Sequence, residues 1–379
     1  MKITEIETLF ISRYLFVKVH TDEGISGLGE SGTHGHLEAS AGSVQTFRRY
    51  LIGQDPLRIE HHWQYLYRSS HFRGAAIMGA LSAIDLALWD IKGKYYGVPC
   101  YELLGGKCRD KVRVYYHVGE GTKEALVKGC VEAKELGFTA VGHLTPFIDE
   151  SRERPFFKTH VHRMRDAIDL VGRYRDAVGE EVDLCIEIHR HLTPAEAVVL
   201  ARGIEEFHPF FLEDPTLPDN FDAMARIADK IHIPIATGER LHTIHEFEML
   251  LSRGAVQYVR PDVCMVGGLT HAKKIAALAE AHYVDVVPHN PLSPVSTAAC
   301  VQLAACIPNF ALQEYPRGEW NPPKSEIVKI PLKCEDGFLI VPDAPGLGIE
   351  LAEDAQEKYP YHPRQRKTGL NVDGSVVDL

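Results

Sequence analysis

The sequence predicts an α/β fold: a parallel TIM barrel of the (β/α)8 type, preceded by a smaller α+β module. Three observations predict it. The chain has 379 residues, enough for a barrel of about 250 residues and a partner domain. From about residue 111, short apolar strands alternate with helices. Strand-like segments then end in an acid or a histidine at Glu187, Glu213, Glu239, Asp262, His289 and Glu314. These ends are 26, 26, 23, 27 and 25 residues apart, close to the shortest one-strand, one-helix repeat. Doubly wound sheets alternate in the same way, but no Gly-x-Gly-x-x-Gly opens a helix within this alternating region. The barrel is the better reading.

Taken in order, Ile3–Phe10 and Leu15–His20 read as strands, the second followed by the turn Asp22-Glu23-Gly24. A glycine-bearing strand from Ile25 to Glu30 leads into the loop Ser31–His36. From Gly74 to Tyr95, the positions Ile77, Leu81, Ile84, Leu88 and Ile91 recur at helical spacing. This α+β module occupies residues 1–110. The barrel, residues 111–320, opens with Val112–Tyr116 and Phe138–His143, which complete the eight strands. A charged stretch, Asp149 to Lys158, leads into a helix. From residue 321 to 379 the alternation is lost, with loop-like Pro322-Pro323 and Pro342–Gly348. Such a tail usually packs back on the first module.

Composition excludes several classes. Apolar residues at 45% and charged residues at 25% are ordinary globular usage, not disorder or fibre. No run approaches the roughly 18 apolar residues of a membrane helix, and Met1–Glu7, acidic and without an apolar h-region, does not read as a signal peptide. A soluble, cytoplasmic protein with no membrane partner is expected. The net charge of −11 argues against nucleic acid as a partner. Eight cysteines without a Cys-x-x-Cys pair read as reduced core thiols.

The chemistry lies at the strand ends. In a parallel barrel these open on the face where active sites form. Glu187, Glu213 and Glu239 end three consecutive strands, and their repulsion calls for a cation; oxygen ligands without soft ones favour Mg2+. Singly, such carboxylates also cap helices or pair with lysines. Opposite them, Asp262 and His289 lie on adjacent strands, where the carboxylate can fix the imidazole tautomer and leave the other nitrogen as a base. A lone histidine is otherwise often structural. His189, two residues past Glu187, points to the same face by the period of a strand. A metal flanked by two histidines can bind a carboxylate substrate, take a proton on one face and deliver one on the other.

These residues resemble the enolase superfamily, mandelate racemase subgroup. The motifs are Leu-Glu-Asp-Pro at 212–215, Thr-Gly-Glu-Arg at 237–240, Arg-Pro-Asp at 260–262 and Pro-His-Asn-Pro at 288–291. Ile84–Lys94 and Leu103–Gly106 are similar to that family's capping domain. The resemblance implies a modified (β/α)7β barrel under an α+β N-terminal capping domain, completed by the C-terminal segment. The Glu-x-His and Pro-His strand endings look most like acid-sugar dehydratases of the galactonate type. Two departures stand out: Glu187 where these enzymes usually carry Asp, and Val141-Gly142-His143-Leu144 where racemases place a lysine base.

The implied chemistry is a Mg2+-dependent hydro-lyase reaction. His289, oriented by Asp262, takes the C2 proton of a sugar acid, galactonate- or gluconate-like. His189 protonates the departing C3 hydroxyl, giving a 2-keto-3-deoxy acid. Glu314 would hydrogen-bond a substrate carboxylate oxygen if protonated; the alternative is a salt bridge. His143 is a candidate substrate contact, or an exposed residue without a role. Arg73 and His34 lie in capping segments that could close over the mouth, or are ordinary surface residues. A hydroxy-acid epimerase and a catalytically idle metal-binding relative are the rival readings. Relatives form symmetric assemblies, so a homo-oligomer is expected.

Overall fold

The computed structural model describes residues 1–119, 121–148, 157–364 and 368–377. Its first module opens with an antiparallel meander of β1 (Ile3–Ile11), β2 (Tyr14–Thr21) and β3 (Ser26–Ser31). Helices α1 (Leu37–Leu51), α2 (Ile59–Ser69), α3 (Ala75–Tyr96) and the single turn α4 (Cys100–Leu103) follow. Sequence periodicity marked only α3. The inward stripe of α1, Leu37, Val44, Phe47 and Leu51, is broken by the buried Ser40, which hides its period. The glycines of β3 have a steric cause: a Cβ on Gly27 or Gly29 would overlap the carbonyl oxygens of Ala87 and Ala83. Only glycine lets α3 lie this close to the meander.

Among the described residues, the barrel strands and α-helices alternate. They are β4 (Lys111–His117), α5 (Lys123–Glu135), β5 (Ala140–Leu144), α6 (His160–Val178), β6 (Asp183–Glu187) and α7 (Pro194–Ile204). Next come β7 (Phe211–Glu213), α8 (Phe221–Ala228), β8 (Ile235–Thr237), α9 (Ile244–Leu251) and β9 (Tyr258–Val259). The last are α10 (Gly268–Ala281), β10 (Asp285–Val286), α11 (Pro294–Cys306) and β11 (Gln313–Tyr315). The strands pair in parallel from β4 round to β10. The pairing of β11 with β4 and a bridge between Val286 and Phe310 close the ring. Eight strands with a helix in each gap, among the described residues, make the (β/α)7β barrel. Tyr115, Ala140, Cys185, Phe211, Ala236 and Leu312 fill its interior as a packed layer.

The chain then turns back. A hairpin of β12 (Cys334–Glu335) and β13 (Phe338–Ile340) pairs antiparallel with the start of β4. The C-terminal segment, with one short helix α12 (Ala355–Lys358), runs to the first module. Gly346 bridges Pro99, Ser12 N–H donates to the Tyr359 carbonyl (2.7 Å), and His362 N–H donates to the Ser12 carbonyl (2.8 Å).

Buried acids of the first module fasten it to the barrel. Asp85 on α3 accepts from the Thr270 N–H (3.1 Å) and hydroxyl (2.5 Å) in the first turn of α10. Glu30 on β3 accepts from Ser293 Oγ (2.5 Å) and the Ser296 N–H (3.0 Å) at the start of α11. Helix N-termini favour such carboxylates because their first N–H groups lack intrahelical partners. Trp63 donates to the Gly267 carbonyl (2.8 Å) and stacks on His271. All eight cysteines are free thiols, six of them buried. No helix among the described residues is long and apolar enough to cross a membrane. Of the charged stretch 149–158, residues 149–156 lie outside the described residues.

Candidate active site

The strand ends place the acids differently from a simple row. Glu187 and Glu213 are the last residues of β6 and β7 and sit opposite each other in register. Glu239 lies two residues past β8, and Asp262 and His289 each lie three past β9 and β10. Sheet pairing stops earlier than the apolar run does, and the following loops carry these side chains into the mouth. There Glu187, Glu213 and Glu239 come together, with one carboxylate oxygen from each within 4.8 Å of the others.

His189 reaches the same cavity by another route than strand alternation. β6 ends at Glu187, and His189 and Arg190 are both left-handed, with φ of 53° and 68°. The expectation that period two would aim His189 is therefore corrected. A turn does it, with the His189 N–H donating to Glu187 Oε1 at 2.8 Å. His289 Nδ1 lies 2.8 Å from Asp262 Oδ2, and its Nε2 is 3.3 Å from Glu239 Oε2. Asp262 thus holds one imidazole nitrogen and leaves the other facing the acid cluster.

Three residues that sequence reasoning missed organise this charge. Arg260, 1% exposed, brings Nε within 2.5 Å of Glu213 Oε1 and bonds Glu314 through Nη2. Arg190 donates to Asp214 (2.9 Å) and Glu239 (2.6 Å). His117, the last residue of β4, comes within 2.6 Å of Glu314 and stacks on His143. Arg260 stood inside the Arg-Pro-Asp motif, so the signal was present and only its acid was used. His117 was legible as the polar end of the first barrel strand.

Electrostatics follow from burial and these pairs. Burial drives the Glu213 carboxyl well above the ordinary range, and burial with the Glu239 charge also raises Glu187. Burial would raise Glu239 too, but His289 and Arg190 outweigh it and hold it down at about 2. Burial opposes charge on His289, yet Glu239, Glu314 and Asp262 raise it to about 9. Burial and the neighbouring His143 push His189 well below the usual imidazole range. For Glu314, burial acts upward, but His117, Arg260 and His289 prevail and hold it well below the carboxylate range. Of the two readings for Glu314, the structure favours the salt bridge, formed with Arg260, and the positive groups around it disfavour a protonated carboxyl.

The acid cluster fits a cation. Arg260 Nε approaches Glu213 Oε1 off the hydrogen-bond axis, so among the described residues that buried oxygen has no aligned donor. Three converging carboxylates, two of which burial holds above the ordinary range, with an oxygen left unsatisfied, are what a hard divalent ion stabilises. A cation on Glu239 would also offset the attraction that now raises His289.

The cavity over this floor measures about 870 Å³. His34 and His143 line it together with Glu187, His189, His289 and Glu314. Arg73 does not: it is exposed, with its guanidinium 4.1 Å from the Tyr67 ring centroid. The structure thus corrects its assignment as a substrate contact, because cation–π packing holds it against α2. Ala75, at the start of α3, is the neighbour that does reach the cavity.

Comparison with known proteins agrees with this geometry. Residues 3–105 match the mandelate racemase / muconate lactonizing enzyme N-terminal domain, and residues 148–355 match the enolase C-terminal domain-like family. The chain is similar to the D-galactonate dehydratase of Xanthomonas oryzae pv. oryzae, 36% identical over 387 residues and 100% of both chains. It is also 36% identical over 364 residues to that of Verminephrobacter eiseniae, covering 93% of each. A solved enolase from Agrobacterium radiobacter, provisionally described as a galactarate dehydratase and bound to Na and L-malate, superposes with a TM-score of 0.93. It is 31% identical and matches 100% of each chain. The chain belongs to the mandelate racemase / muconate lactonizing enzyme family of the enolase superfamily.

Proposed function

We propose that this enzyme is a Mg2+-dependent sugar-acid dehydratase, a hydro-lyase for which a galactonate-like aldonate is the reference substrate. The observation that carries the reading is the Asp262–His289 pair facing a trio of carboxylates, with His189 beside that trio's Glu187. The full-length likeness to galactonate dehydratases supports the substrate class. Glu187, Glu213 and Glu239 would hold Mg2+, which would supply positive charge for the substrate carboxylate, where negative charge grows as the α-proton leaves.

His289 does the first step. Its Nε2 takes the proton from C2, while Asp262 holds Nδ1 and stabilises the imidazolium that forms. The C2 electron pair then forms the C2–C3 double bond and the C3–O bond breaks. The hydroxyl leaves as water with a proton from His189, and the resulting enol tautomerises to the 2-keto-3-deoxy acid. Burial holds His189 neutral without substrate; an anion beside it raises its proton affinity. Arg260 keeps Glu314 ionised, so in this mechanism Glu314 orients His117 and the loop of Asn290, whose N–H it accepts at 2.9 Å.

The test is a panel of five- and six-carbon sugar acids with Mg2+, assayed for 2-keto-3-deoxy product, with NMR of C2 proton exchange in D2O. His289→Asn should lose both exchange and dehydration, by about 10²- to 10⁴-fold. His189→Asn should lose dehydration and keep exchange. Absence of product and of exchange across the panel refutes the dehydratase; an epimer in place of a keto acid assigns the rival epimerase.

A further inference from the structure

The cavity is charged unequally. Every carboxylate in its described lining stands on the barrel side, where Glu187, Glu239, Asp262 and Glu314 form the floor and Asp219 and Glu246 the wall. Glu246 is already occupied, capping α9 through the Thr243 hydroxyl and backbone. The roof, contributed by the first module and the C-terminal segment, brings two arginines, Arg13 and Arg364, and two histidines, His34 and His36. The other described roof residues are uncharged. On the barrel side, Arg190 and Arg260 also line the cavity but are paired with the acids Asp214, Glu239, Glu213 and Glu314, and Arg240 follows Glu239.

The segments that carry the two roof arginines are joined by backbone hydrogen bonds. Arg13 sits in the turn between β1 and β2, next to Ser12 in the left-handed region at φ 54°. The C-terminal segment grips that turn on both sides through the Ser12–Tyr359 and His362–Ser12 hydrogen bonds, and Arg364 follows two residues later. A non-glycine residue held in this conformation marks a position that the surroundings fix rather than one the chain prefers. Among the described residues, Arg13 makes no ion pair with a carboxylate; its Nε donates to the Tyr14 hydroxyl at 3.3 Å. Like charges gathered at one end of a concave site favour an anion there.

We propose that the sugar acid carries a second anionic group at the end remote from the reacting carboxylate, and that Arg13, with Arg364, reads it. The first carboxylate faces the acid floor and its cation, and the second faces the basic roof. This inference rests on the sugar-acid reading above and narrows its substrate class from monoacids to acids charged at both ends. The shared chemistry is a terminal anion, either a carboxylate, as in an aldarate, or a phosphate, as in a 6-phosphoaldonate.

The experiment compares kcat/KM for galactonate, galactarate and 6-phosphogluconate in the wild type, Arg13→Gln, Arg364→Gln and Arg13→Lys, with Mg2+ throughout. The wild type should prefer one of the doubly charged acids to the monoacid by about tenfold or more, as expected for a charge-assisted contact. Arg13→Gln should shrink that preference by about tenfold, chiefly through KM, and Arg13→Lys should restore part of it. Preference for galactarate assigns a carboxylate, and preference for the phosphate ester assigns a phosphate. A wild type that favours galactonate, or a preference unmoved in both glutamine variants, overturns the proposal and leaves the dehydratase intact. Turnover of none of the three, nor of any sugar acid in the wider panel, brings down both.

Discussion

Arg260 shows how a single buried residue decides the character of this site. Its guanidinium is enclosed by Tyr115 and Phe211 and by the carboxylates of Glu213 and Glu314, with centroid distances of 5.7 Å and 5.8 Å to the rings. Removing it leaves two buried carboxylates without their counter-charge. Arg260→Met should therefore cost about 3–5 kcal/mol of stability, the usual loss when one partner of a buried pair is deleted. Urea unfolding of the variant and wild type in the absence of divalent cation checks this; an unchanged midpoint would show that the pair is not structural. Sequence showed the arginine but not its partners, because Glu314 is 54 residues away and meets it only across the closed barrel. The same holds for Arg190, whose left-handed turn brings it to Asp214 and Glu239. By contrast, Glu187 and Glu213 were legible because each ends an apolar strand, and Glu314 because it closely follows the apolar Phe310–Leu312 run, although it stands in the middle of β11.

At the scale of elements, the informative contacts are those between α3 or β3 and the barrel helices. Glu30 lies at the N-terminus of α11, and burial raises its carboxyl to about 8 against the lowering effect of the Ser293 and Ser296 hydrogen bonds. The folded protein then binds this proton more tightly than the unfolded chain does. Its contribution is present at low pH and is lost as pH rises from the ordinary glutamate range to about 8, with a slope of up to about 1.4 kcal/mol per pH unit. Glu30→Gln keeps an acceptor for the helix and removes the titration. Its urea midpoint should fall less than the wild type's between about pH 5 and about pH 9; equal falls would remove Glu30 as the cause. The apolar spacing of α3 was readable from sequence, but its acids were not. Asp85 and Asp90 look like breaks in an apolar face until Thr270, Leu28 and Leu347 arrive to donate to them.

For the whole molecule, the acid cluster couples metal binding to stability. A ligand that binds only the folded state stabilises it by about 2.7 kcal/mol at a hundred times its dissociation constant. Thermal unfolding should therefore shift upward when Mg2+ is added to protein stripped with chelator. The shift should disappear in Glu213→Gln, whose neutral amide leaves the cluster one charge short. A shift of equal size in that variant would place the cation elsewhere.

The sequence by itself determined the barrel, because an apolar strand and a helix every 25 residues or so allow few other layouts. It also marked out the acids and the His289 and Asp262 positions, since polar residues at strand ends stand against apolar ones. Tertiary structure alone decided what those residues face. Ring closure set Arg260 between Glu213 and Glu314 and kept Glu314 ionised. The turn after β6, not strand alternation, aimed His189. Packing on Tyr67 took Arg73 out of the cavity, while the return of the C-terminal segment to Ser12 set Arg364 and Arg13 in its roof. Each of these depends on contacts between residues far apart in the chain, whose energies are fixed by burial and distance and leave no periodic trace in the sequence.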